Sequence, residues 1–204
     1  MHLKKVVMAN KSNRKLWSKY VEKKSKGSTP RQANNNSSQS RGSPFSGVIL
    51  GIDPSLRGSG FSVIKYVNQK AELLNSITLR INTKSSMAQC LGMIANKVEF
   101  FLNQYAIDHV AVEQTIYVQN FQTAQIMGAA RGAAIAPVAM RNIDLFEYAP
   151  LRIKQAIVGN GRASKQQVSK MTGALLEKDF GDFYDESDAS AVALCHAFTW
   201  KNED

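Results

Sequence analysis

Four acidic residues of this chain stand where an apolar stretch ends or begins. Asp53 and Glu113 each end an apolar run, and Asp185 and Asp188 together open another. A carboxylate beside a buried strand or helix is unfavourable unless it is paired or binds a cation. Each acid taken alone is also typical of a turn or a helix cap, which are the commoner roles. A functional site is indicated only if the fold brings the four acids together.

The two strand-ending acids are predicted to lie at one edge of a sheet. Residues 48–52 and 109–113 are apolar runs typical of buried strands, and residues 85–105 have the apolar spacing of a helix. A helical crossover places the second strand parallel to the first. Ligands collect at the carboxyl ends of parallel strands. Asp53 and Glu113 are therefore expected to lie near each other at that end.

The other two acids are predicted to share one face of a helix. Asp185 and Asp188 are three residues apart, and residues with this spacing are neighbours on a helix surface. The same face continues as Val192 and Cys195, which are expected to pack on the sheet. The pair is therefore predicted to be held at the edge of the sheet rather than in solvent.

Four converging carboxylates repel one another unless cations neutralise them. Oxygen ligands of this kind suit Mg²⁺ or Mn²⁺. Two such ions roughly 3.5–4 Å apart form the clamp used for in-line displacement at phosphorus. The predicted ligands are Asp53, Glu113, Asp185 and Asp188. The chemistry they indicate is metal-dependent hydrolysis of a phosphodiester.

Three basic residues between the second strand-ending acid and the last helix are candidates to hold a phosphate. Lys154 and Arg162 flank a glycine-containing loop, and Lys165 lies in the first turn of a helix that Ser164 is predicted to cap. A lysine in that turn opposes the helix dipole, which indicates another role for it. A solvated basic face is the alternative for each residue singly.

The remaining pattern predicts an α/β fold with a five-stranded mixed sheet flanked by helices. Strands are expected at residues 61–66, 70–81 and 143–147, and a small-residue helix at 123–142 that Pro137 bends or ends. Gly58 and Gly60 are expected in the turn after Asp53.

The charge of the chain is concentrated at its start. Residues 1–46 hold 11 of the 26 Lys and Arg residues and one acid, and the other 158 residues have 15 basic and 15 acidic side chains. This segment is predicted to be a basic, disordered arm that adds electrostatic affinity for nucleic acid. A solvated leader without a role is the alternative.

Two further patterns bear on where the protein works. The chain has no apolar run of the ~18 residues that span a membrane and no secretory signal pattern. Cys90 and Cys195 are interpreted as reduced core residues. We expect a cytoplasmic protein, or one of an organelle matrix if the arm is a transit peptide.

Several short motifs, in order and over roughly residues 47–198, resemble the RuvC family of Holliday-junction resolvases. They are Gly51-Ile52-Asp53-Pro54, Val112-Glu113-Gln114, Gly128-Ala129-Ala130-Arg131-Gly132, Phe146-Glu147-Tyr148-Ala149, Lys154-Gln155-Ala156-Ile157-Val158-Gly159 and Asp185-Glu186-Ser187-Asp188-Ala189. The resemblance implies an RNase H-like fold, a homodimer, and paired Mg²⁺-dependent cuts in four-way junction DNA during recombination and repair. It also implies a RuvAB-type branch-migration complex as a partner.

The family's site residues fall on positions already singled out. Its four catalytic acids correspond to Asp53, Glu113, Asp185 and Asp188, and its site lysines to Lys154 and Lys165. Tyr117, Arg131 and Arg162 are further candidate DNA contacts. Where the family often has a stacking aromatic, this chain has Ile116 followed by Tyr117, so the aromatic is one residue out of register.

Two other functions remain open from the sequence. A nuclease of the same fold can act on another branched DNA or on RNA, because the fold and the acids do not select a substrate. A non-catalytic nucleic-acid-binding protein on this fold is the second alternative. It would be favoured if one of the four acids were missing, and all four are present.

Overall fold

The structure is a computed structural model, and it describes residues 44–115, 120–182 and 184–201. Five strands form one sheet. They are β1 Gly47–Asp53, β2 Gly58–Val67, β3 Lys70–Arg80, β4 His109–Glu113 and β5 Asp144–Tyr148. The described part contains five helices. They are α1 Met87–Gln104, α2 Phe121–Met140, α3 Pro150–Val158, α4 Lys165–Leu176 and α5 Tyr184–Thr199.

The strand order is β3-β2-β1-β4-β5, with β4 parallel to both β1 and β5 and the first three strands antiparallel. The predicted mixed sheet and the parallel relation of the two acid-bearing strands are therefore confirmed. Asn68 and Gln69 form the tight turn between β2 and β3, both with positive φ. This conformation matches the twist of the flanking strands.

The two faces of the sheet bury two apolar clusters. Alternate residues of β1 point to opposite faces, so Leu50 and Ile52 pack with α1 and α2 while Ile49 packs with α3, α4 and α5. Helix α1 begins with a capping box between Ser86 and Gln89, and α4 begins with the predicted one between Ser164 and Gln167. Satisfying these free amide groups at each helix start determines where α1 and α4 begin.

Two glycines that were assigned to a turn lie within strand β2 instead. Gly58 begins β2, and Gly60 pairs with Asp53. A Cβ built on Gly60 would overlap the carbonyl oxygen of Asp185, and one built on Gly51 would overlap that of Ala189. Gly51 and Gly60 therefore make room for α5 to lie directly on the sheet.

The end of α2 and the residues before β1 also differ from the sequence prediction. Helix α2 continues through Pro137 to Met140, so the proline does not end it. Pro44 forms a bridge with Lys201, and Phe45 is buried in the core. These two residues of the predicted arm thus belong to the folded domain, whereas residues 1–43 lie outside the described residues.

A buried polar chain crosses the α5 side of the sheet. The hydroxyl of Tyr148 lies 2.8 Å from His196 Nδ1, and His196 Nε2 lies 2.9 Å from His109 Nδ1. Phe45 and Trp200 pack around both histidines. Burial, and then the neighbouring His109, lower the pKa of His196 to about 3. His196 is therefore neutral at physiological pH and has a structural role.

Two findings bear on environment. No helix of the described residues is both long and apolar enough to cross a membrane. Cys90 and Cys195 are buried free thiols, and burial raises the pKa of Cys195 to about 11. Cys195 therefore stays a protonated thiol at neutral pH, and both cysteines are core residues.

Candidate active site

One open cavity of about 470 Å³ lies at the carboxyl ends of β1 and β4. Three of the predicted acids and both predicted lysines line it. These residues are Asp53, Glu113, Asp188, Lys154 and Lys165. These five side chains therefore come from two strands and three helices, α3, α4 and α5.

Asp53 and Glu113 meet because β1 and β4 are adjacent and parallel. Ile52 pairs with Val112, so the residues that follow them, Asp53 and Glu113, lie side by side at the end of the two strands. The two carboxyl groups share a hydrogen bond. Burial, followed by the charges of Glu113 and Asp188, raises the pKa of Asp53 well above its usual range. Without a cation, the two carboxyl groups therefore hold a proton more readily than free carboxyl groups do.

Glu113 and Asp188 respond to the same surroundings. Burial, and then the charge of Asp188, raise the pKa of Glu113. Burial likewise raises the pKa of Asp188, although its hydrogen bond and ion pair with Lys165 oppose this change. Three carboxyl groups with raised pKa values on one cavity wall are typical of a functional site.

Lys165 supplies a positive charge beside the acids. Its Nζ lies 2.7 Å from Asp188 Oδ2, and it also lies over the ring of Tyr184 at 5.8 Å from the centroid. Burial lowers the pKa of Lys165, but the hydrogen bond and charge of Asp188 outweigh this effect, so the pKa is raised. The ammonium group therefore stays protonated beside Asp188 at neutral pH.

The donor set fits a hard divalent cation by its chemistry. Carboxylate oxygens that repel one another in a buried pocket are stabilised by such an ion. Among the described residues, no three His, Cys, Asp or Glu side chains are already arranged as a metal cage. Asp188 is paired with Lys165, and the carboxyl groups of Asp53 and Glu113 contact each other. A cation held by these acids would therefore compete with the ammonium of Lys165 for Asp188.

Asp185 lies beside the cavity rather than in its lining. Its Oδ2 is 3.4 Å from the point where a Cβ on Gly58 would stand, so the side chain faces the start of β2. It is close enough for its charge to raise the pKa values of Asp188 and Lys165. The fourth predicted acid is therefore at the edge of the site.

Two of the other predicted DNA contacts, Arg131 and Arg162, do not line the cavity. Arg162 is exposed in the loop before α4, where its amide donates to Asn160. Arg131 on α2 forms an ion pair with Glu147 on β5. Tyr117 lies outside the described residues. Their roles in binding DNA stay predictions.

The sequence patterns missed several residues of the cavity wall. They are Gln114, Thr115, Met127, Ile153 and Val168. Gln114 and Thr115 directly follow a strand-ending acid, and this adjacency was a signal for them. Met127 reaches the cavity from α2, and its apolar helical spacing resembles that of any core residue.

A model of the RuvC family, described as crossover junction endodeoxyribonuclease RuvC, matches residues 49–196. The chain belongs to the RuvC family. The RuvC of Alkaliphilus metalliredigens (strain QYMF) is 36% identical over 151 residues, which are 74% of this chain and 92% of that protein.

Solved structures of similar proteins agree with this assignment to RuvC. Thermus thermophilus RuvC in complex with a Holliday junction substrate has a TM-score of 0.69 and 29% identity, over 74% of this chain and 93% of that one. The yeast mitochondrial Holliday junction resolvase Ydc2, at 11% identity, shares the fold with a TM-score of 0.54 over 78% of this chain and 82% of its own. The predicted RNase H-like fold is thereby confirmed.

Proposed function

We propose that this RuvC-family chain is an endodeoxyribonuclease that resolves four-way Holliday junctions by phosphodiester hydrolysis during recombination and DNA repair. The observation that carries the proposal is the convergence of Asp53, Glu113 and Asp188 with Lys154 and Lys165 around one open cavity. Acids and lysines together suit a phosphodiester, since the lysines attract the phosphate and the acids hold cations.

The RuvC family is metal-dependent. We infer that the ion here is Mg²⁺, two per site, with Mn²⁺ as a substitute, held by Asp53, Glu113, Asp185 and Asp188. When bound, such ions supply Lewis acidity that activates water and stabilises charge on the phosphate. Such ions would favour the ionised forms of Asp53 and Glu113 and would compete with Lys165 for Asp188.

Lys154 and Lys165 have a second role in this scheme. Both line the cavity, and an ammonium group is a compact donor to phosphate oxygens. If Asp188 held a cation, the ammonium of Lys165 would be available to bind the scissile or a neighbouring phosphate. Lys154 approaches the cavity from α3, so the two lysines come from different helices and can orient the phosphate between them.

DNA outside the cavity is proposed to contact residues that add affinity or shape selection. Tyr117 is the candidate to stack on bases near the crossover, and Arg131 and Arg162 are candidates to bind phosphates. The basic segment before residue 44 adds long-range attraction, because the rest of the chain has equal numbers of acidic and basic side chains.

A homodimer is proposed because a four-way junction has two equivalent strands to cut. A two-fold symmetric enzyme presents two identical cavities to them. Exposed Phe121 and Ile126 on α2, which are 74% and 39% exposed, supply apolar surface that supports a subunit contact. A RuvAB-type branch-migration complex is the proposed partner in the cytoplasm.

The test is cleavage of a synthetic four-way junction beside a linear duplex and a flap of matched sequence, with Mg²⁺ or with EDTA. Preferential, EDTA-sensitive cutting of the junction at paired positions is expected. Equal cutting of all three DNAs would support the alternative of a less selective nuclease. Binding of the junction without any cutting in Mg²⁺ or Mn²⁺ would support a non-catalytic binding protein.

A further inference from the structure

Glu186 lies between the two acids of α5 but does not line the cavity. Its Oε2 accepts a hydrogen bond from Ser76 Oγ on β3 at 2.6 Å and lies 3.1 Å from Lys178 Nζ. Lys178 Nζ also donates to Ser76 Oγ at 2.6 Å. The three polar groups therefore form a closed triangle, which we call the Glu186 triangle.

The Glu186 triangle joins three separate parts of the fold. Ser76 belongs to β3, Lys178 follows the end of α4, and Glu186 is in the first turn of α5. The Glu186 and Lys178 side chains are 15% and 35% exposed, so solvent screens this ion pair less than a surface pair. Losing one member would leave a partly buried group unsatisfied.

One turn further along α5, a second polar contact holds the same helix face. Ser190 Oγ lies 2.8 Å from Ser62 Oγ and donates to the carbonyl oxygen of Glu186 at 2.8 Å. Ser62 is the β2 residue that pairs with Ser76. Side chains four apart on the helix thus contact residues that are side by side on the sheet, which defines the rotation of α5 about its axis.

We propose that Glu186 is a positioning residue that holds the first turn of α5 so that Asp188 faces the cavity and Asp185 its edge. The inference rests on the proposed function only for the roles of these two acids. Residues 186 and 188 project about 200° apart on a helix of 3.6 residues per turn. Fixing Glu186 against β3 therefore directs Asp188 to the opposite side, toward Asp53 and Glu113.

The charge of Lys178 makes this arrangement compatible with a site rich in carboxylates. An unpaired Glu186 would add a further negative charge next to Asp185 and Asp188 and raise their mutual repulsion. Lys178 neutralises it, so Glu186 orders the helix start with little net charge. The ion pair of Lys165 with Asp188 and that of Lys178 with Glu186 both connect the α4 region to the same turn of α5.

The experiment compares Glu186→Ala, Glu186→Gln, Lys178→Met and the double variant Glu186→Gln/Lys178→Met in the full chain. Mn²⁺ affinity without DNA, the single-turnover cleavage rate on a four-way junction, and junction affinity in EDTA are measured. Glu72→Ala, an exposed acid on the same strand as Ser76, is the matched control. Melting temperatures show whether each variant is folded.

Glu186→Ala is expected to weaken Mn²⁺ binding and slow cleavage by about 10–100-fold, the usual effect of losing a residue that orients metal ligands. Junction affinity in EDTA should change by less than about 3-fold. Lys178→Met should be more harmful than the double variant, because the single change leaves an unpaired charge. Glu186→Gln should fall between wild type and Glu186→Ala, since an amide still accepts from Ser76.

Unchanged Mn²⁺ affinity and cleavage rate in a folded Glu186→Gln or Glu186→Ala would overturn the inference and leave the proposed function intact. Absence of junction cleavage by the wild type would instead remove the proposed function, and the Mn²⁺ titration would still decide the role of Glu186. Equal loss of Mn²⁺ affinity in Lys178→Met and the double variant would contradict the claim that Lys178 neutralises Glu186.

Discussion

The carbonyl oxygen of Asp185 packs directly on Gly60, so closely that a Cβ at residue 60 would overlap it. Gly60 is also the residue that pairs with Asp53 across β1 and β2. One glycine thus sets the height of α5 above the strand that carries the first acid. The separation of Asp53 from Asp185 and Asp188 depends on the absence of a side chain there.

Gly60→Ala is expected to push the first turn of α5 off the sheet. Overpacking of this kind destabilises by about 1–3 kcal/mol, and a displacement of about 1 Å at a site can reduce the rate about 100-fold. Urea unfolding and single-turnover junction cleavage measure the two effects. Gly92→Ala is the control, because nothing lies within 4 Å of a Cβ at Gly92 in α1; equal behaviour of the two variants would contradict the packing role.

Asp53→Asn is expected to abolish cleavage while junction binding in EDTA stays within about 3-fold of wild type, since phosphate contacts supply most of the affinity.

The folded state raises the pKa of Asp53, so in EDTA the wild type loses stability as pH rises above the unfolded pKa. Asp53→Asn should therefore melt at a higher temperature than wild type at pH 8 in EDTA.

Addition of Mn²⁺ should raise the melting temperature of the wild type and have little effect on Asp53→Asn. Asp144→Asn, with a side chain 77% exposed at the opposite end of the sheet, is the control. Loss of junction binding together with cleavage in Asp53→Asn would argue against a role confined to holding cations.

Lys165→Met is expected to change metal affinity and rate in opposite directions. The ammonium group lies 2.7 Å from Asp188 Oδ2 and competes there with a cation. Its removal should tighten Mn²⁺ binding about 3–10-fold, as expected for loss of a like charge at a few ångströms. The cleavage rate should fall about 100-fold, because a phosphate contact is lost.

Isothermal titration with Mn²⁺ and single-turnover kinetics provide both numbers for Lys165→Met. Lys70→Met, an exposed lysine at the start of β3, should change neither. Weaker Mn²⁺ binding in Lys165→Met would show that the lysine supports the cation site instead of competing for it.

His196 does not line the cavity, and its ionisation makes the free energy of unfolding depend on pH. The folded pKa of about 3 is below the unfolded value of 6.5, so stability falls as pH drops from about 6.5 toward 3. One such group changes the unfolding free energy by at most about 1.4 kcal/mol per pH unit. His196→Asn should be less stable at pH 7 but show a flatter stability curve between pH 7 and 4.5 in urea unfolding; parallel curves would contradict the assignment.

Two truncations distinguish the effect of the basic N-terminal segment on DNA binding from the effect of buried Phe45 on stability. Deleting residues 1–43 retains Phe45, whose ring lies 4.9 Å from that of His109 and 5.0 Å from that of His196. This deletion should weaken junction binding and reduce its salt dependence without lowering the melting temperature. Deleting residues 1–46 should also lower the melting temperature; an unchanged salt slope in both would show that the segment does not bind DNA.

The sequence by itself determined the elements and most of the site. Continuous apolar runs locate β1 and β4, the helical spacing of apolar residues locates α1, and a helical crossover makes β4 parallel to β1. Asp53, Glu113 and Asp188 were identifiable because a carboxylate beside a buried element needs a partner. The cap at Ser164 follows from local hydrogen bonding alone.

Only the tertiary structure decided how the acids are arranged. It places Asp185 at the edge of the cavity, pairs Lys165 with Asp188, and anchors Glu186 to Ser76, which is 110 residues away in sequence. It also shows that Gly60 lies in β2 and makes room for α5, whereas the sequence predicted it in a turn. These relations depend on contacts between residues distant along the chain, whereas periodicity and capping report interactions within a few residues.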